Sequence, residues 1–139
     1  MVRLGHGPGQ TVSLRSVTFD GVTPSGAPKP LDLGGEAAKA VLFLTSSCLD
    51  CRRVWDTLAS MRRVPAGHFV VVTPDPCTED AAALRSLAPR GVEVVMSSAA
   101  WLELCNYPAP WLITVAGGRV IRSVTAPTSK RRLARLLRP

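Results

Sequence analysis

The sequence predicts an α/β fold: an open mixed sheet with helices packed on both faces. Three observations predict it. Short β-rich runs at 40–45, 68–73 and 92–96 alternate with helical patterns. Ala116-Gly117-Gly118 links two further strand-like runs, which adds an antiparallel hairpin. The first buried run also ends on a C-x-x-C pair, Cys48 and Cys51, at the start of a helical pattern. A length of 139 residues fits one domain, and a 46% hydrophobic composition is enough for a core.

Residues 1–11, broken by Gly5, Gly7, Pro8 and Gly9, read as a flexible lead-in to one domain spanning 12–139. His6 lies in that lead-in and is expected in solvent. Val12 to Phe19 alternates apolar and polar residues at several positions and reads as an edge strand or extended segment. Asp20-Gly21 signals a turn. Residues 21–35, with Pro24, Gly26, Pro28, Pro30, Gly34 and Gly35, form a surface loop that Leu31 and Leu33 stitch to the core. Glu36 to Lys39 reads as a short helical turn.

Ala40 to Thr45 is uncharged, as a strand covered on both faces requires. A helix follows from Cys48 to Arg63, with Val54, Trp55, Leu58 and Met61 as its apolar stripe and Pro65 and Gly67 as its stop. His68 to Thr73 is the second buried strand, where His68 takes a structural role. Thr78 caps the next helix, which runs to Leu87 with Glu79 and Asp80 in its first turn. Val92 to Met96 is a third strand. Ser97 or Ser98 then caps a helix reaching Cys105. Trp111 to Val115 and Arg119 to Thr125 form the hairpin, and Pro127-Thr128 opens a last helix, 129–138, with Leu133, Leu136 and Leu137 on its apolar side.

The formal net charge is +7. Arg is spread over helix faces, and the chain has only three Phe and one Tyr, so stacking platforms for single-stranded nucleic acid are not evident and no nucleic-acid partner is expected. The basic face of the last helix (Lys130, Arg131, Arg132, Arg135, Arg138) reads as a solvated surface. Apolar runs of 4–6 residues fall far short of the ~20 needed to span a membrane, and Met1 to Gln10 has no leader pattern. The chain as given is expected to be a soluble monomer, with a membrane tether only if residues before Met1 are missing.

A strand that delivers Cys48 to a helix N-terminus places its sulfur beside unpaired N–H groups, which favour an anion, and a thiolate is one. Cys51 lies within one turn, so the pair can close a short disulfide. The stretch reads as a dithiol redox site. Cys77 and Cys105 supply no second C-x-x-C for a zinc knuckle. They read as a second dithiol, a structural bridge or two small buried hydrophobes. Asp50, between the sulfurs, opposes the thiolate, and Arg52 and Arg53 offset it. A reducing or middling potential is expected. Two rivals are delivery of a soft metal, copper or zinc, on Cys48 and Cys51, and an interaction domain with a vestigial dithiol.

Val41-to-Arg53 and Tyr107-to-Val120 together resemble the thioredoxin-fold thiol–disulfide oxidoreductases over residues 12–138. The front elements and the Pro/Gly-rich loop are most similar to the TlpA/ResA/MauD type, generally tethered on the outer side of a membrane. The resemblance implies a thioredoxin-like three-layer sandwich. It implies Cys48 as nucleophile, Cys51 as resolving thiol and Pro110 as the cis-proline facing the dithiol. Ala109 is the residue whose backbone meets substrate, Leu49, Asp50 and Trp111 line the substrate groove, and protein disulfides are the substrates. It implies no cofactor and no metal. The family's buried aspartate falls at Leu42, which leaves Glu36 or Glu103 as substitute proton acceptors.

Overall fold

The computed structural model describes residues 12–61, 68–125 and 129–137. The expected lead-in, 1–11, and the stops at Pro65, Gly67 and Pro127 lie outside the described residues. Three adjacent strands form the parallel part of the sheet: β4 (Lys39–Phe43), β5 (Phe69–Thr73) and, at the edge, β6 (Val94–Met96). They follow β1 (Val12–Ser13), β2 (Thr18–Phe19) and β3 (Leu31–Asp32) in the chain. On the other side of β4 lie β7 (Trp111–Ala116) and β8 (Arg119–Thr125), both antiparallel to their neighbours. The six-stranded order is β1-β8-β7-β4-β5-β6, and β2 and β3 form a separate ribbon. Gly117 and Gly118 adopt φ of 58° and 72°, the left-handed pair that a two-residue hairpin turn requires.

β4 and β5 are buried along almost their whole length because side chains alternate into two cores. One core joins Leu42, Leu44, Val71 and Leu112 to helices α1 (Leu49–Ser60), α2 (Ala81–Leu87) and α4 (Lys130–Leu136), through Val54, Trp55, Leu58, Leu84, Leu133 and Leu136. The other joins Val41, Phe43, Val70, Val72, Trp111 and Ile113 to α3 (Ser98–Leu104) and to Phe19, Leu31 and Leu33. The result is the expected three-layer sandwich.

Several local expectations are corrected. Val12 to Phe19 is not one strand: Arg15 and Ser16 are exposed, and its two ends pair with different partners, β8 and β3. Glu36 to Lys39 is not a helical turn; β4 begins at Lys39. Cys48 is the N-cap of α1 rather than its first residue. Asp80, not Thr78, caps α2. Ser97 caps α3.

Candidate functional site

β4 runs parallel to β5, so its C-terminal end lies at the sheet edge from which α1 departs. β7 pairs with β4 so that Trp111 faces Phe43, which brings residues 109–110 to that same edge. Cys48 has extended backbone, and its Sγ accepts a hydrogen bond from the Cys51 N–H at 3.4 Å, so the thiol itself caps the helix. The Cys48 Sγ–H donates to the Ala109 carbonyl at 3.6 Å. The Ala109–Pro110 peptide is cis, and Pro110 is buried. Two segments 61 residues apart in sequence thus meet at one sulfur. Cys48 is half-buried, whereas Cys51 is 0% exposed.

The connector between β4 and α1 is held from several directions. The Thr45 hydroxyl accepts from the Cys48 N–H at 3.2 Å and donates to the Cys51 Sγ at 3.8 Å. The Trp55 indole Nε1 donates to the Thr45 carbonyl at 3.0 Å, and Arg52 donates to the Ser46 carbonyl at 3.2 Å. The Glu79 carboxylate accepts from the Ser46 N–H at 3.1 Å, from the Ser46 hydroxyl, and from the Asp80 N–H at 2.8 Å. Burial pushes the Cys51 thiol up to about 12, against the lowering effect of hydrogen bonds from Thr45; the neighbouring Cys48 adds to the rise.

The other residues singled out in the sequence divide. Leu49 is 72% exposed, and Asp50 is exposed with an Arg53 partner at 3.6 Å. Trp111 does not line a groove: it is fully buried, stacked on Phe43 at 5.6 Å between centroids, and Tyr107 covers it at 5.2 Å. The sheet register turns its indole into the core on the α3 side. Tyr107, half-exposed, takes the outer position. Cys77 is exposed in the turn after β5, and the Cys105 thiol donates to the Tyr107 carbonyl at 3.2 Å. Burial pushes Cys105 up to about 11. All four cysteines are free, and no bond joins Cys77 to Cys105.

Neither substitute proton acceptor reaches the dithiol. Glu36 is exposed beside Gly117, at the opposite end of the sheet, and Glu103 is exposed on α3. Leu42 is fully buried in the core beneath α1. Sequence reasoning missed Thr45 and Glu79. The signal for Glu79 was present in Thr78-Glu79-Asp80: once Asp80 caps the helix, Glu79 stands outside it and is free to face another loop. Among the described residues, no three His, Cys, Asp or Glu side chains gather as a metal site, and no helix is long and apolar enough to cross a membrane.

No protein-family model and no curated protein sequence matches the chain. Solved structures do. A thiol:disulfide interchange protein of the thioredoxin family from Chlorobium tepidum superimposes with a TM-score of 0.68 at 18% identity, over 94% of this chain and 97% of that one. The exposed lipoprotein thioredoxin of Streptococcus pneumoniae gives 0.66 at 12% identity, over 86% and 97%. A secreted disulfide oxidoreductase of Mycobacterium tuberculosis gives 0.62 at 20% identity, over 87% and 95%. The chain has the thioredoxin fold. Its structural neighbours are thioredoxin-fold thiol–disulfide oxidoreductases, the type to which the sequence resemblance pointed. Within the thioredoxin fold of this chain, the sheet edge that carries Cys48 is also the edge where Ala109 and Pro110 enter β7.

Proposed function

We propose that this chain is a thiol–disulfide oxidoreductase acting on protein partners, carried by one domain over residues 12–139 that works as a monomer. The observation that carries the reading is the Cys48 sulfur. It caps α1, lies one turn from a second thiol, and faces the Ala109 carbonyl across the loop. Cys48 attacks a partner disulfide and forms a mixed disulfide; Cys51 then displaces the partner thiol and closes the Cys48–Cys51 disulfide. Ala109 and Pro110 shape the docking edge, and the exposed Leu49 and Asp50 meet the partner first. The chemistry needs no diffusible cofactor. Neighbours described as secreted and as an exposed lipoprotein support an extracytoplasmic location.

Insulin reduction by dithiothreitol tests the reading. The wild-type protein accelerates precipitation of the insulin B chain, and Cys48→Ser abolishes the acceleration. Cys51→Ser accumulates a mixed disulfide through Cys48 that a reductant releases. Wild-type protein no faster than dithiothreitol alone, or a Cys51→Ser variant that traps nothing, overturns it.

A further inference from the structure

The two sulfurs face unequal tasks. Cys48 meets its partner at the surface. Cys51 is fully buried and must still act as a nucleophile to close the disulfide. Neither Glu36 nor Glu103 is near it, and Leu42 fills the space beneath. Burial raises the Cys51 thiol most, and the groups that act on it are Thr45, through its backbone and its hydroxyl, and Cys48.

A threonine hydroxyl carries one hydrogen and two lone pairs. The Cys48 N–H, at 3.2 Å, occupies a lone pair of the Thr45 oxygen, and the single hydrogen is directed at the Cys51 Sγ, 3.8 Å away. The β-branch restricts the rotation of that hydroxyl. The backbone beneath it is fixed by Trp55 at the Thr45 carbonyl, and Ser46 is pinned between Glu79 and Arg52. A donor held in place before charge develops stabilises that charge without reorganising.

We propose that Thr45 is a catalytic residue of the closing half-reaction, its hydroxyl donating a hydrogen bond to the Cys51 sulfur as it becomes the attacking thiolate. The assignment rests on the dithiol exchange proposed above. In the mixed disulfide, Cys51 gives up its proton, and its electron pair forms the bond to the Cys48 sulfur. The bond from Cys48 to the partner sulfur breaks, and the leaving sulfur takes a proton. The partner is reduced to a thiol and the dithiol oxidised to a disulfide. Thr45 keeps its own proton throughout.

An aromatic disulfide, dithionitrobenzoate, separates the two steps in stopped flow. All arms carry Cys77→Ser and Cys105→Ser, so that two sulfurs react. Attack by Cys48 releases the first thionitrobenzoate, and attack by Cys51 releases the second. In Thr45→Val the ratio of the second rate to the first falls about tenfold, the scale of a lost hydrogen bond to a charged group. Thr45→Ser keeps the hydroxyl and retains the ratio, and Thr45→Ala repeats the loss with less side-chain volume. A ratio unchanged in Thr45→Val and Thr45→Ala, or lowered equally in Thr45→Ser, overturns the assignment. A parent protein that releases one equivalent and never the second overturns the dithiol reading itself, and the role of Thr45 with it.

Discussion

Glu79 holds the dithiol connector at Ser46. Ser46 is 8% exposed, and both its N–H and its hydroxyl end on that one carboxylate. Removing the acceptor strands buried donors, at a cost of about 1–3 kcal/mol. Glu79→Ala is therefore expected to lower the urea midpoint and slow thiol exchange together, because the connector also sets Thr45 beneath the sulfurs. Glu79→Gln keeps a carbonyl acceptor and loses less on both measures. Asp50 is the opposite case: it is exposed, and its Arg53 partner is exposed too. An exposed pair contributes less than about 1 kcal/mol, and about 30 mV corresponds to 1.4 kcal/mol for a two-electron couple. Asp50→Asn should raise the reduction potential, measured against a glutathione buffer, by no more than about 20 mV. The C-x-x-C pair and Pro110 were legible in the sequence because their spacing is local or because a known pattern marks them. Thr45 and Glu79 were not, since a hydroxyl before a cysteine marks no pattern, and the partner of Glu79 lies 33 residues away.

At the scale of elements, legibility followed burial. β4 and β5 lie between two cores and have no polar face, so their apolar runs were unambiguous. The stripe of α1 was legible for the converse reason: one face is buried at Val54, Trp55 and Leu58 while Arg52, Arg53 and Asp56 face solvent. The segment 12–19 was legible as edge strand or extended chain but not as two separate strands, because a run of alternating residues cannot say where its hydrogen bonds go. Its first pair extends the main sheet, and its last pair starts the small ribbon. α3 shows how a cap can join elements. The Ser97 hydroxyl accepts from the Ala100 N–H at 3.1 Å and donates to the Asp20 carbonyl at 2.5 Å, while the Met96 N–H donates to the Val22 carbonyl at 2.7 Å. Ser97 is 2% exposed, so Ser97→Ala loses a buried cap and the hydrogen bond to the Asp20 carbonyl. A loss of about 2 kcal/mol by denaturant unfolding is expected. Hydrogen-exchange protection should fall in α3 before it falls in β4.

Across the whole molecule, the three-layer arrangement determines how stability responds to alkali. Two thiols, one on each side of the sheet, lie where ionisation is penalised, Cys51 fully buried and Cys105 half-buried: Cys51 is pushed up from 9.0 to about 12 and Cys105 from 9.0 to about 11. In the unfolded chain both ionise near the ordinary value. Between the unfolded and folded values the native state therefore binds more protons than the unfolded state, and the stability of the reduced protein falls as pH rises. The Cys105 part of that loss ends near 11 and the Cys51 part near 12. Below the ordinary value both thiols are protonated in either state and contribute no slope. The measurement is the urea midpoint of the reduced protein at successive pH values, compared with Cys51→Ala and with Cys105→Ala. Each variant is less stable at neutral pH for want of a side chain, yet each should lose less of its remaining stability than the wild type as the pH climbs. The difference for Cys51→Ala should extend to the higher limit. Parallel curves for wild type and Cys51→Ala across that window would show that the Cys51 sulfur ionises as freely in the fold as in the open chain, and that burial beneath α1 does not restrain it.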